Sequence, residues 1–263
     1  MTKAAIIFAG PTLPPSAHPA DPIFEWRPPV AQGDLYRAAL SRPAAIGVID
    51  GYFEVVPTVW HKEILWALTQ GIAVFGAASI GALRAAELDG FGMRGVGKVY
   101  EWFRDGVLQD DDEVAVLHGP EELGYQAITD AMVDIRATLQ AAVLESIVDA
   151  ELGASIIRVA KDLFYKERAY PAVLKAAIGA GLPAAAVQAV ANWLPEGRIA
   201  QKLHDAEALL QVIYSHLADN APPLQVSWRL AETPAWVSAQ NYVPAFAEYS
   251  RMGVPAAWLR AVS

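Results

Sequence analysis

Three uninterrupted apolar runs, each stopped at or just before a glycine, do most to limit how this chain can fold. AAIIFA (residues 4–9) ends at Gly10-Pro11-Thr12, AAIGVI (44–49) at Asp50-Gly51, and IAVF (72–75) at Gly76. Short runs without polar alternation suit strands covered on both faces, which is the condition of a parallel sheet. Helical periodicity fills the gaps: Gly33 to Leu40, Pro57 to Gln70 with proline at its start and Gly71 after its end, and Ser79 to Leu88. This alternation predicts the α/β class, with a Rossmann-like parallel sheet and flanking helices in the N-terminal half. Beyond residue 128 the strand signals fade. Helical periodicity continues over 129–143, 155–167, 183–194 and 199–217, so a mostly α-helical C-terminal part is expected. The expected organisation is an α/β core with the catalytic site over 1–128, a helical region over 129–220 and an aromatic arm over 221–263. The arm carries Trp228, Trp236 and Trp258 and would pack on the core or on a partner.

Composition narrows the function classes. With 54% hydrophobic and 19% charged residues the chain is a packed globular protein. No apolar run is long enough to cross a bilayer, so no membrane role is expected, and residues 4–9 are too short for a signal-peptide core. There is no cysteine, which removes disulfides, thiol nucleophiles and thiolate metal sites; a cytoplasmic setting is expected. The net charge of −9 argues against nucleic acid as a partner.

The most chemically suggestive segment runs from Gly76 to Gly81 and reads Gly-Ala-Ala-Ser-Ile-Gly. It lies at the carboxyl end of an expected strand, where α/β sheets place ligands. Small residues around Ser79 resemble a nucleophile elbow, with Ala77 and Gly81 in the small positions. Backbone amides at the start of the following helix would face an anion forming beside the hydroxyl. The plain alternative is that Ser79 caps that helix, the commoner use of serine at such a place. A serine nucleophile needs a base. His61 and Lys62 begin the preceding helix, whose N-terminus also sits at the carboxyl edge of the sheet. A helical wheel puts His61 on the buried face with Trp60, Ile64, Leu65, Ala67 and Leu68, and Lys62 at its border. His118, at the end of a possible strand over 114–117, is a third candidate. On the residues alone, Ser–Lys and Ser–His stay level.

Other motifs carry less. Gly92 to Lys98 fits the glycine and lysine spacing of a P-loop, but Val99 stands where a hydroxyl should be, so a nucleotide site is not expected. Asp110, Asp111, Asp112 and Glu113 lack calcium-loop spacing and read as an exposed turn or a patch for a basic partner. Arg84 and Glu87 are spaced as an intrahelical pair.

The stretch from Ile49 to Val116, with FAGPTLP (residues 8–14) and PPVAQGDLYRAA (28–39), resembles the TfuA-like family over roughly the first 140 residues. Such proteins accompany YcaO enzymes in peptide backbone thioamidation. The resemblance implies that the chain accepts a ThiS-like sulfur carrier ending in a thiocarboxylate, hydrolyses that end to release sulfide, and helps recruit the peptide substrate. It implies no metal and no organic cofactor. A Ser–Lys pair is attributed to the family, and the matching positions are Ser79 as nucleophile and Lys62 as base. His61, Asp50, Gly51, Gly10, Thr12, Gly76, Ile80, Gly81 and Arg84 are the expected supporting or binding residues, with Gly10, Gly51 and Gly76 leaving room for a thin glycine-ended tail. Two alternatives stand beside this. One is a non-catalytic adaptor that docks carrier and peptide to the YcaO enzyme; the other is a Ser–His hydrolase using His61 or His118.

Overall fold

The computed structural model describes residues 5–54, 56–219 and 222–240. The N-terminal half alternates as expected: β1 (Ala5–Phe8), β2 (Phe24–Arg27), α1 (Asp34–Leu40), β3 (Ala45–Val48), α2 (His61–Thr69), β4 (Ala73–Ala77), α3 (Ile80–Leu88), β5 (Arg94–Val96) and α4 (Lys98–Arg104). The strands form one parallel sheet in the order β2-β1-β3-β4-β5. The order reverses between β1 and β3, which opens a crevice at their carboxyl ends.

Two strands escape the sequence pattern, and both lie at the sheet edges. β2 reads Phe-Glu-Trp-Arg and buries only Phe24 fully; β5 is three residues long with Arg94 exposed. Edge strands need no continuous apolar run. β5 lies inside the Gly92–Lys98 segment. The start of α4 behind it is filled by the Asp205 carboxylate, which accepts the Val99 N–H at 2.7 Å, so no nucleotide cradle forms there.

Alternation along each strand sends side chains to two different covers. Ile6, Phe8, Ile46, Val48 and Val74 pack under α1, α2 and α3, joined by Leu224, Val226 and Trp228. On the opposite face, Ile7 and Phe75 meet Leu209 and Ile213 of α9 (Gln201–Ala218). A Cβ at Gly47 would stand 2.9 Å from Ile213, so glycine in β3 lets this helix settle on the sheet. The C-terminal part is helical as expected, with α5 (Met132–Leu144), α6 (Ala150–Asp162), α7 (Tyr170–Gly179) and α8 (Ala184–Gly197) packed around Met132, Leu139, Ile156, Val173 and Val187. α9, although it belongs to the helical part of the sequence, completes the α/β core.

Helix α2 starts at His61, not after Pro57, and its wheel is rotated from the expected one. The reason is Glu63. Its carboxylate turns inward and accepts the N–H groups of Gly33 (2.9 Å), Tyr36 (3.1 Å) and Trp60 (3.1 Å), setting the helix start at Trp60. His61 is thereby turned outward, with 46% of its side chain exposed, instead of joining the buried face. Burial pushes the Glu63 carboxyl above its usual range, against the lowering by its three amide donors. Glu63→Gln, which turns one acceptor into a donor, is expected to cost roughly 1–3 kcal/mol by urea unfolding. The raised value means that the folded state holds this proton more tightly than the unfolded one. The associated stability is present below the ordinary carboxylate range and is lost as pH rises through the raised value. The gap between wild type and variant should therefore narrow with rising pH.

The acidic run forms a short 3₁₀ turn whose basic partners lie within the chain. Lys161 contacts Asp110, Asp112 and Glu113, Arg136 grips Glu113 at 2.8 Å, and the buried Arg168 meets Asp112 at 2.7 Å. No strand forms over 114–117; only an isolated bridge joins His118 to Ala127. The described part of the aromatic arm packs on the core, with Trp236 against Tyr36 and Trp228 donating to the Phe91 carbonyl at 3.0 Å. Trp258 lies outside the described residues. Among the described residues no helix is long and apolar enough to cross a membrane.

Candidate functional site

Strand β4 passes into α3 through a turn that only small residues can make. A Cβ on Gly76 would lie 2.1 Å from the Gly81 carbonyl oxygen, and one on Gly81 would lie 1.8 Å from that of Val48. Between them Ala78 takes φ of 66°, and the Ser79 N–H bonds the Ala77 carbonyl at 2.7 Å. This is the geometry of the rare γ-turn with positive φ, a strained form that proteins tend to keep at functional sites. Ser79 stands at the N-cap position of α3, yet its hydroxyl makes no cap hydrogen bond. It has no hydrogen-bond partner among the described residues. The Ile80 amide likewise reaches no backbone carbonyl among them, whereas that of Gly81 is taken by Ile49 at 3.3 Å.

Ser79 opens onto a cleft of about 770 Å³ at the carboxyl ends of β1, β3 and β4. Its walls include Asp50, Gly51, Thr58, Ile80, Arg84, Glu87, Asp110, Val114, His118 and Lys202. Asp50 is fully buried beneath it. Its carboxylate accepts the Gly10 and Thr12 amides at 2.9 and 3.0 Å and the Thr12 hydroxyl at 2.6 Å, tying the loop after β1 to the end of β3. Arg84 donates to the Val59 carbonyl at 3.3 Å and to Glu87 at 2.6 Å, so the expected intrahelical pair is present. Burial would raise the Glu87 carboxyl, but the hydrogen bond from His61 (2.8 Å) and the guanidinium of Arg84 hold it below the usual range.

The expected bases separate. Lys62 donates to the Ala231 carbonyl of the C-terminal segment and is not on the cleft wall. His61 is engaged with Glu87, whereas His118 does line the cleft. The His118 Nδ1 lies 2.7 Å from the Gly119 carbonyl, which can only accept; in the neutral ring that leaves the Nε2 lone pair free. The three glycines expected to leave room for a tail serve packing instead. The space beside Gly10 is taken by Pro29, beside Gly51 by Ile80 and Val30, and beside Gly76 by Gly81 and Met93.

Residues 50–169 match the family model described as TfuA-like protein. Over this span the chain is similar to TfuA-like proteins. No curated protein matches the chain. The TfuA-like segment holds Asp50, Ser79, Ile80, Arg84, Glu87 and His118, and so most of the cleft. One polar wall residue comes from outside it and was missed from sequence: Lys202, on the first turn of α9, with only 5% of its side chain exposed. Its ammonium donates to the Val114 carbonyl at 2.9 Å and stands 4.0 Å from Asp50. A signal was present. Lys202 shares the apolar stripe of its helix with Ala206, Leu209 and Ile213, and a lysine on a buried stripe needs a polar reason to be there. Among the described residues, one set of side chains converges as metal ligands would. It is formed by the carboxylates of Asp110, Asp112 and Glu113, but Lys161 already bridges them.

Proposed function

We propose that the chain acts with a YcaO enzyme in peptide backbone thioamidation, hydrolysing the C-terminal thiocarboxylate of a ThiS-like carrier protein to release sulfide. The observation that carries the proposal is the Ser79 hydroxyl: it sits at a strained strand-to-helix turn, faces a cleft and does not cap its helix. A serine kept only for capping would spend that hydroxyl on the amides of α3. In this reading Ser79 Oγ attacks the carbonyl carbon of the carrier's last residue, and the Ile80 amide faces the developing oxyanion. Sulfur leaves as hydrosulfide, and water then cleaves the acyl-serine to give the carboxylate. The first step needs a proton acceptor. His118 is assigned that role over Lys62, because it lies on the cleft wall with Nε2 open while the Lys62 amine is bonded to Ala231.

The test is sulfide release from a short peptide thiocarboxylate ending in Gly-Gly. His118→Asn is expected to lower the rate about 100-fold or more, with Lys62→Met within about twofold of wild type. The reverse order would return the base to Lys62, as the family resemblance has it. No release above background by the wild-type protein would leave the adaptor reading.

A further inference from the structure

Among the described residues the cleft wall carries two cations, Arg84 and Lys202, and they differ in how closely a carboxylate holds them. Arg84 gives two of its five N–H donors to the Val59 carbonyl and to Glu87, and the Glu87 carboxylate at 2.6 Å neutralises its charge. Lys202 has three N–H donors, of which Val114 takes one. Asp50 faces its charge from 4.0 Å, beyond hydrogen-bond reach, with its own oxygens already filled by Gly10 and Thr12. The buried Asp134, which accepts the Lys202 backbone N–H at 2.9 Å, is the second carboxylate that feels the ammonium. An almost buried ammonium with unused donors, on the wall of the cavity that Ser79 faces, is a binding group for an anion. In such a place a charge-assisted hydrogen bond is strong and an unmade one is costly.

We propose that Lys202, held by Asp50 and the Val114 carbonyl, anchors the free anionic terminus of the acyl substrate, so that the cleft selects chain ends bearing a carboxylate or thiocarboxylate over amides and esters. Lys202 thus confines Ser79 to a chain terminus. A passing internal peptide bond brings no anion to pair with the ammonium. Neutralising the thiocarboxylate also removes the negative charge that would repel an attacking oxygen. The anchor comes from α9, so the helical part of the chain supplies the selectivity and the TfuA-like segment the nucleophile. The inference rests on the hydrolase reading of this cleft.

The test uses full-length Ser79→Ala protein, in which no turnover can interfere, and two probes: a peptide acid ending in Gly-Gly and the same peptide as its C-terminal amide. Titration calorimetry is expected to show the acid binding at least about tenfold more tightly than the amide. Adding Lys202→Met should reduce that preference to less than about twofold. Lys202→Met leaves Asp50 buried without its cation. The paired change Asp50→Asn with Lys202→Met removes both charges together, and it should also lose the preference if the single variant does not fold. Equal binding of acid and amide, no detectable binding of the acid, or a preference that survives both Lys202 variants would overturn the anchor. Failure of the hydrolase reading shows separately, as absence of sulfide release by the wild-type protein.

Discussion

Gly81→Ala is expected to prevent folding or to cost more than about 4 kcal/mol, although it adds a single methyl to the first turn of a helix. Alanine is a better helix former than glycine, so propensity alone predicts a gain of about 1 kcal/mol. Geometry decides otherwise. The new Cβ would stand 1.8 Å from the Val48 carbonyl oxygen and 2.6 Å from its carbon. Neither side can yield cheaply. β3 is a central strand held by β1 on one side and β4 on the other, and α3 is tied through the Gly81 N–H to Ile49. Relief would require moving α3 off the sheet and with it Ser79. Gly90→Ala is the control: a Cβ there meets nothing within 4 Å, and the change should stay within about 0.5 kcal/mol. Urea unfolding followed by circular dichroism distinguishes the two. Wild-type stability in Gly81→Ala would mean that strand and helix are not packed so closely.

The parallel sheet was legible because β1, β3 and β4 are buried on both faces and show it as unbroken apolar runs. β2 and β5 were not, because an edge strand keeps one side to solvent and needs no such run. The place of Ser79 was legible too, since the strand, the small residues and the helix that follow one another there can be read in order. Its freedom from capping was not, because that depends on a hydroxyl's direction. The neighbours of Ser79 were harder. Lys62 and His61 are close to it in the chain order of α/β units, but the inward turn of Glu63 sets the phase of α2 and leaves them on other partners. Lys202 lies 123 positions further along the sequence than Ser79, the difference of their residue numbers, and only the docking of α9 on β3 and β4 brings it to the same cleft.

Removing the Ser79 hydroxyl is the change with the largest expected effect on activity. Ser79→Ala subtracts one oxygen that has no hydrogen-bond partner among the described residues, so fold and stability should remain near wild type. Loss of an attacking nucleophile typically costs a factor of about 10³–10⁶ in turnover, the residue being what binding and the oxyanion donors still provide. A merely structural serine would give the opposite pairing, with stability falling and any activity persisting. Rate and stability therefore need to be measured on the same preparation.

The central claim is met most directly by following sulfide release from a carrier protein ending in a thiocarboxylate, with wild-type and Ser79→Ala proteins of matched unfolding midpoint. The account predicts turnover by the wild type and a loss of at least about a thousandfold in the variant. Equal rates in the two proteins would contradict it.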